Sequence, residues 1–274
     1  MEIDKRTKNY PELKAVLENS NLPDVTRDNL KRVLETRLKE APRDSNLSML
    51  DVGPSDGEMS FPLVEWLGTR FANFHYVAVE PEKEAFDKLN QRIAQKGDYR
   101  FVSYNVTLKD YLETVKEEEG IFDVALFSYV FYHFPKETWA TIISDSQRLL
   151  KKDGLTIIVL DSYEGRLWEM RSLITEGKID TLEFGDLYFA QDMEEFLETM
   201  GIRYFTDKFT VHISIKGDDQ KLFNMARALA FLYRTFPEKI LAEHKKELIG
   251  FLEETKIGER HVIEDNMRAI AFRK

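Results

Sequence analysis

Cysteine is absent from the 274 residues of this chain. That excludes disulfides, zinc–thiolate sites, iron–sulfur clusters and cysteine nucleophiles, and it fits a reducing compartment. No run of 18 apolar residues occurs, so no membrane-spanning helix is predicted. Met1-Glu2-Ile3-Asp4-Lys5-Arg6 is not followed by an apolar segment, so a secretory signal is not expected. A cytoplasmic protein is the expectation. Positive charge is in deficit, with 39 Lys and Arg against 49 Asp and Glu, a net charge of -10 and a pI near 5.2. The basic residues are scattered, and an acidic surface repels phosphate backbones, so neither a nucleic-acid nor a membrane partner is expected. Histidine is scarce, and His75, His212, His244 and His261 show no metal-ligand spacing. No metal is expected, and nothing in the pattern sets an oligomeric state.

What is present is a substantial apolar complement. Hydrophobic residues make up 43% of the chain, enough for a sizeable core. Residues 1–46 are polar, with helical spacing over Tyr10–Asn19 and Arg27–Glu40, a break at Leu22-Pro23 and Thr26 as N-cap. Residues 47–162 alternate between strand and helix. Strands are predicted at 47–52, 75–80, 99–104, 122–129 and 155–161, and helices at 59–69, 82–95, 109–118 and 136–151, with Gly154 as a left-handed stop. Short connections in that order mean a parallel sheet with helices on both faces. Residues 163–190 read as a partly irregular insertion. A helix at 191–200, β-like residues at 202–215 and helices near 219–234 and 237–254 follow. A last strand at 267–272 closes the sheet antiparallel. The expectation is an α/β, Rossmann-like, mostly parallel seven-stranded sheet. It comprises an N-terminal helical extension (1–46), a core (47–215 and 262–274) and a helical cap (216–261) contributing to a substrate pocket.

The most informative stretch is Met49-Leu50-Asp51-Val52-Gly53-Pro54-Ser55-Asp56-Gly57-Glu58. An apolar strand ends in a Gly-rich turn, and an amphipathic helix follows. Glycine tolerates positive φ and lets a ligand approach bare backbone. The helix N-terminus offers unpaired N–H groups to electron-rich atoms. In open α/β sheets, nucleotide-like cofactors sit at such a turn. The next strand ends in Glu80, whose carboxylate can accept hydrogen bonds from both hydroxyls of a ribose. The bland alternative is that Glu80 simply opens a helix, where acids are favoured.

These motifs resemble the class I methyltransferases that use S-adenosylmethionine. The family's first loop reads roughly D-x-G-x-G-x-G, and Asp51, Gly53, Ser55 and Gly57 occupy those places, with Ser replacing the middle Gly. Glu80 matches the family's acid after strand two. Phe122-Asp123 opens strand four as in the family, and Leu149-Leu150-Lys151-Lys152-Asp153-Gly154-Leu155 looks like its turn into strand five. The resemblance implies S-adenosylmethionine as cofactor. It places Asp51, Gly53, Ser55, Gly57, Glu80, Asn105, Thr107, Ser128 and Tyr129 around it. Asn105 and Thr107 stand at the adenine end, though Thr107 equally suits a helix cap. Ser128 and Tyr129 end strand four, beside the methyl.

A narrower similarity, to histamine N-methyltransferase and its small-amine relatives, rests on Tyr129-Val130-Phe131-Tyr132-His133-Phe134, on Asp161 through Trp168, and on Asn266. It implies a small-molecule substrate with an amine nitrogen, bound by Tyr132, Trp168 and Asn266; Tyr10, in the N-terminal helical region, is a further substrate-binding candidate. Tyr132 and His133 are its catalytic candidates. Aromatic faces attract cations, and a histidine can accept a proton near neutrality. The alternatives are aromatic packing and an inert His133. Catechol-type carboxylate clusters and an Asn-Pro-Pro-Tyr motif for base amines are both absent. O-methylation, protein methylation, a non-catalytic cofactor-binding regulator and a nicotinamide-dependent dehydrogenase stay open on the residues alone.

Overall fold

The computed structural model describes residues 20–38, 46–95, 100–175, 188–216, 221–233 and 237–274. By internal contact the chain falls into two compact units. The first comprises the described residues within Thr26–Asp161, Tyr188–Lys208 and Arg268–Lys274. The second comprises the described residues within Met1–Val25, Ser162–Leu187 and Phe209–Met267.

Eight strands form the sheet: β1 (Asn46–Val52), β2 (Asn73–Val79), β3 (Arg100–Tyr104), β4 (Phe122–Ser128), β5 (Leu150–Asp161), β6 (Tyr204–Lys216), β7 (Lys256–Ile257) and β8 (Arg260–Arg273). Seven are ordered β3-β2-β1-β4-β5-β8-β6, and the two-residue β7 pairs with β8 off that path. Strands β1 to β5 pair parallel, and the C-terminal strands are antiparallel. The expected Rossmann-like architecture is therefore present, with one short strand more than predicted. Strand order reverses at β1: the chain steps outward to β2 and β3, then returns to β4 on the other flank. A crevice opens at that point in doubly wound sheets.

The first unit carries α1 (Leu22–Arg37), α2 (Phe61–Arg70), α3 (Lys83–Ala94), α4 (Leu108–Thr114), α5 (Trp139–Leu149) and α7 (Ala190–Thr199), α1 starting four residues earlier, in the second. Between β5 and α7, α6 (Arg166–Thr175) lies in the second unit. Near-continuous apolar strands such as β4 are buried on both faces by these helices. The core runs from Leu50, Val77 and Phe127 to Trp139 and Leu197. Trp139 is fully buried at its centre, with ring centroids 5.6 Å from Phe131, 4.9 Å from Tyr188 and 5.6 Å from Phe196. In the second unit α8 (Lys221–Tyr233), α9 (Pro237–Glu243) and α10 (Lys245–Glu254) fill the range assigned to a cap. Its core joins Leu167, Met225, Leu248, Phe251 and Ile263.

Several local expectations need correction. Leu22-Pro23 opens α1 rather than breaking it, because proline is tolerated in a first turn where its missing N–H is not needed. Thr26 is consequently buried inside that helix and is not its N-cap. The helix predicted at 136–151 is a 3₁₀ turn followed by α5, and β5 begins at Leu150, where a register shift against β4 absorbs the extra residues. Asp153, with φ 62, takes the left-handed turn instead of Gly154; Asp adopts that conformation more readily than most side chains. The insertion at 163–190 contains α6, and the helix predicted at 237–254 is two helices. The helix predicted at Tyr10–Asn19 lies outside the described residues.

Truncating the aromatic hub tests the first unit's core. Trp139→Ala is expected to cost about 3–5 kcal/mol through lost burial and a residual cavity. The urea midpoint should fall with little change in slope. A midpoint shift worth under about 1 kcal/mol would show that the cluster is not central to the core.

Candidate cofactor and methyl-transfer site

The parallel register brings the carboxyl ends of four strands level. Val52 pairs with Val79, Val79 with Tyr104, Asp51 with Leu126 and Ser128 with Val159. The residues just beyond, namely the Gly53 turn, Glu80, Asn105, Tyr129 and Asp161, thus share one edge of the first unit.

The turn is built by alternation. Gly53, Ser55 and Gly57 all have positive φ, at 67, 54 and 77. These are the three places where the family's pattern has glycine, and Ser55 holds the conformation at a cost of about 1–2 kcal/mol. Space is also short. A Cβ on Gly53 would lie 2.7 Å from Val130 Cγ2, and one on Gly57 would lie 2.6 Å from Leu89 Cδ1. The Gly53 amide donates to the Val79 carbonyl at 2.9 Å and the Gly57 amide to Pro54 at 3.0 Å.

Glu80 ties this turn to β2. Its carboxylate accepts from the Ser55 amide and from the Glu82 amide, each at 2.8 Å. Its own amide donates to the Tyr104 carbonyl at 3.0 Å. Glu80 is only 6% exposed. Burial pushes its pKa up to about 7 against the pull of those two amides. Asp51 lies beneath the turn. Its Oδ2 accepts from the Tyr76 hydroxyl at 2.7 Å. Its Oδ1 is buried with no completed hydrogen bond among the described residues, and so is the Ser60 hydroxyl that approaches it. Burial pushes Asp51 up to about 6. A buried acceptor without a donor is costly, and here it sits beside a turn shaped to admit a ligand. A polar, cationic ligand segment fits that deficit.

Other predicted residues have different partners. The Asn105 amide donates to the carbonyls of Glu80 at 2.9 Å and Pro81 at 3.2 Å, so it braces the Glu80 peptide. Thr107 caps α4, accepting from the Asp110 amide at 3.2 Å. The Ser128 hydroxyl points to Met59 Sδ at 3.7 Å. Tyr129 is left-handed, with φ 55, and its hydroxyl meets the buried Thr26 at 2.9 Å. Strain of this kind persists where surrounding structure imposes it. His133 is exposed, while Phe131 packs on both Trp139 and Phe134, and the Phe134 carbonyl accepts from Trp139 Nε1 at 3.1 Å, so much of the expected aromatic wall belongs to the core. Tyr132 is half-buried. Its hydroxyl donates to Asp161 Oδ2 at 2.5 Å and accepts from the Asp161 amide at 2.8 Å. Burial, then the neighbouring carboxylate, holds the phenol well above its ordinary pKa, which opposes a role as base.

Trp168 and Asn266 belong to the second unit. Trp168 packs on Tyr163 with ring centroids 4.5 Å apart. The Asn266 amide donates to the Glu164 carbonyl, and its oxygen accepts from Thr210 at 2.8 Å. Tyr10 lies outside the described residues. Asp161 stands in the segment that carries the narrower resemblance but is not marked there as a site residue, although an acid ending an apolar strand is the same signal that marks Glu80. At the opposite edge, a cavity of about 270 Å³ lies among Asn46, Ser48, Asn73, His75, Arg100 and Lys151. It faces the amino ends of the strands, away from the switch-point edge where such sheets bind ligands. Among the described residues no cluster of acids and histidines could hold a metal, and no helix is long and apolar enough to cross a membrane.

Residues 50–156, from β1 into β5, match a family model described as a methyltransferase domain. The match supports a class I S-adenosylmethionine-dependent methyltransferase domain over that segment, a transferase of the EC 2.1.1 type that takes S-adenosylmethionine as methyl donor. No curated protein matches the chain by sequence. Three solved structures share the fold. A protein from Bacillus halodurans C-125, assigned as a methyltransferase, is 16% identical with a TM-score of 0.54, over 88% of this chain and 98% of its own. The YcgJ protein of Bacillus subtilis is 15% identical with a TM-score of 0.53, over 89% and 98%. A protein of Galdieria sulphuraria, assigned as a sarcosine dimethylglycine methyltransferase, is 15% identical with a TM-score of 0.51, over 91% and 85%.

The raised carboxylates make stability depend on pH. Glu80 and Asp51 hold their protons more tightly folded than unfolded. Their contribution is complete below the unfolded pKa values and is lost as pH rises through about 6 and about 7. Between pH 6 and 8 the ligand-free protein should lose on the order of 1–2 kcal/mol. Glu80→Gln should remove roughly half or more of that loss. Urea midpoints at both pH values measure this; equal slopes in the two proteins would contradict it.

Proposed function

We propose that the chain methylates the amine nitrogen of a small molecule, with S-adenosylmethionine held by the 53–57 turn and by Glu80. The observation that carries the reading is the bond between the Ser55 amide and Glu80 across a turn left-handed at all three glycine-pattern positions. Gly53 and Gly57 keep the backbone bare where the methionine part approaches. Asp51, with its unmet buried acceptor, suits the ammonium of that part. Glu80 offers carboxylate lone pairs to the ribose hydroxyls. The cofactor supplies an activated methyl on a sulfonium, so the protein need only orient the acceptor at near-attack distance and keep its nitrogen unprotonated. An amine acceptor is supported by the acidic net charge and by Tyr129 and Tyr132 beside the end of β4. Tyr132 serves as a neutral positioning group in this reading. The exposed His133 is dispensable.

Calorimetry with S-adenosylmethionine, S-adenosylhomocysteine and NAD tests the cofactor assignment. Both adenosyl compounds should bind, and Glu80→Ala should weaken them by roughly 1–3 kcal/mol. Tighter NAD binding, or an unchanged dissociation constant in the variant, would contradict the assignment. A methyl-transfer panel of small amines, alcohols, thiols and a peptide mixture tests the acceptor. Turnover confined to alcohols or peptides would overturn the amine reading.

A further inference from the structure

The Tyr132–Asp161 pair is not absorbed by cofactor binding. Asp161 ends β5, two residues beyond Val159, which pairs with Ser128 and accepts the Tyr129 amide at 3.0 Å. It is therefore level with the residues that leave β4. Contact continues from the cofactor turn to this point: Gly53 abuts Val130, and Val130 lies two residues before Tyr132. Tyr132 and Asp161 hold each other twice, hydroxyl to carboxylate at 2.5 Å and amide to hydroxyl at 2.8 Å. The phenol has one proton, and the Asp161 carboxylate receives it. Tyr132 therefore has no proton to offer a substrate, and it fixes the direction of the acid. One carboxylate oxygen, Oδ2, carries this bond. Asp161 as a whole is partly exposed.

Resting on the function proposed above, we propose that Asp161 is the substrate-recognising acid of the site, that it takes a cationic amine, and that Tyr132 is the positioning residue that aims it. A partly buried carboxylate is costly when ionised and alone. A cation delivered to it relieves that cost, whereas an anionic acceptor increases it. Burial raises Asp161 to about 6, and the Tyr132 hydroxyl is the opposing influence; Tyr129 faces the pair through Tyr132. Binding the ammonium form therefore drives a proton off Asp161 near and below neutrality, and the ionised carboxylate then accepts the ammonium N–H proton, which frees the nitrogen lone pair for transfer.

The test uses the full chain saturated with S-adenosylhomocysteine, titrated calorimetrically with three probes of one shape: 2-phenylethylamine, 2-phenylethanol and phenylacetate. The amine is expected to bind tightest, and Asp161→Asn should weaken it at least tenfold while changing the affinity for S-adenosylhomocysteine less than twofold. Tyr132→Phe removes the bond that lowers the acid's pKa. At pH 7 it should therefore release more protons on amine binding than wild type, read from enthalpies in two buffers of different ionisation heat. Mere loss of packing would leave that count unchanged. Amine binding that is absent, no tighter than that of phenylacetate, or equal in wild type and Asp161→Asn overturns the proposal. So does an unchanged proton count in Tyr132→Phe. Failure of S-adenosylhomocysteine to bind in the first place would instead overturn the cofactor reading beneath it. An Asp161→Glu variant that recovers amine affinity, with a midpoint in urea matching Asp161→Asn, separates recognition from stability.

Discussion

Two peptide amides, those of Ser55 and Glu82, converge on the buried carboxylate of Glu80, and the geometry of the site follows from that convergence. A turn that is left-handed at three alternating residues has little regular hydrogen bonding of its own. The carboxylate supplies the missing acceptor and locks the turn against the end of β2. Parallel pairing then fixes where everything else lies, because β1, β2, β3 and β4 end at one level. Remove the acid and the turn loses its anchor. Widen the turn by one methyl at Gly53 and it collides with Val130, which leads directly to Tyr132.

Charge is arranged with the same economy. Asp51, Glu80 and Asp161 all sit where burial penalises ionisation, and all three are raised above the ordinary carboxylate range. Such groups destabilise the empty fold as they ionise. A ligand carrying positive charge and hydroxyl donors compensates them, so binding and stability are linked through the same atoms. Perturbed acids gathered at one sheet edge are also a marker of function in their own right.

Much of this was legible in the sequence, and for stated reasons. The alternation of apolar runs and amphipathic helices from Leu47 to Leu160 leaves few topologies open, and the Gly53–Gly57 turn followed by Glu80 points to the edge that matters. Ser55 was readable as a departure from the glycine pattern, but not as a residue that nonetheless keeps the left-handed backbone. Side-chain partnerships were less legible. Whether Asn105 faces a ligand or the Glu80 carbonyl depends on distances set by three strands at once. Tyr132 looked like a free aromatic wall because its partner, Asp161, is remote in sequence and meets it only through the β4–β5 register. Thr26 and Tyr129 are joined across a still longer separation. Local misreadings, such as Asp153 for Gly154, arose where a strand began earlier than its apolar run.

The most direct measurement is a crystal structure of the full chain grown with S-adenosylhomocysteine. The account predicts density along the 53–57 turn, with both ribose hydroxyls on the Glu80 carboxylate, the amino group over Asp51 and the sulfur facing the end of β4. Density at the opposite edge, among His75, Arg100 and Lys151, or a ribose that never meets Glu80, would contradict it.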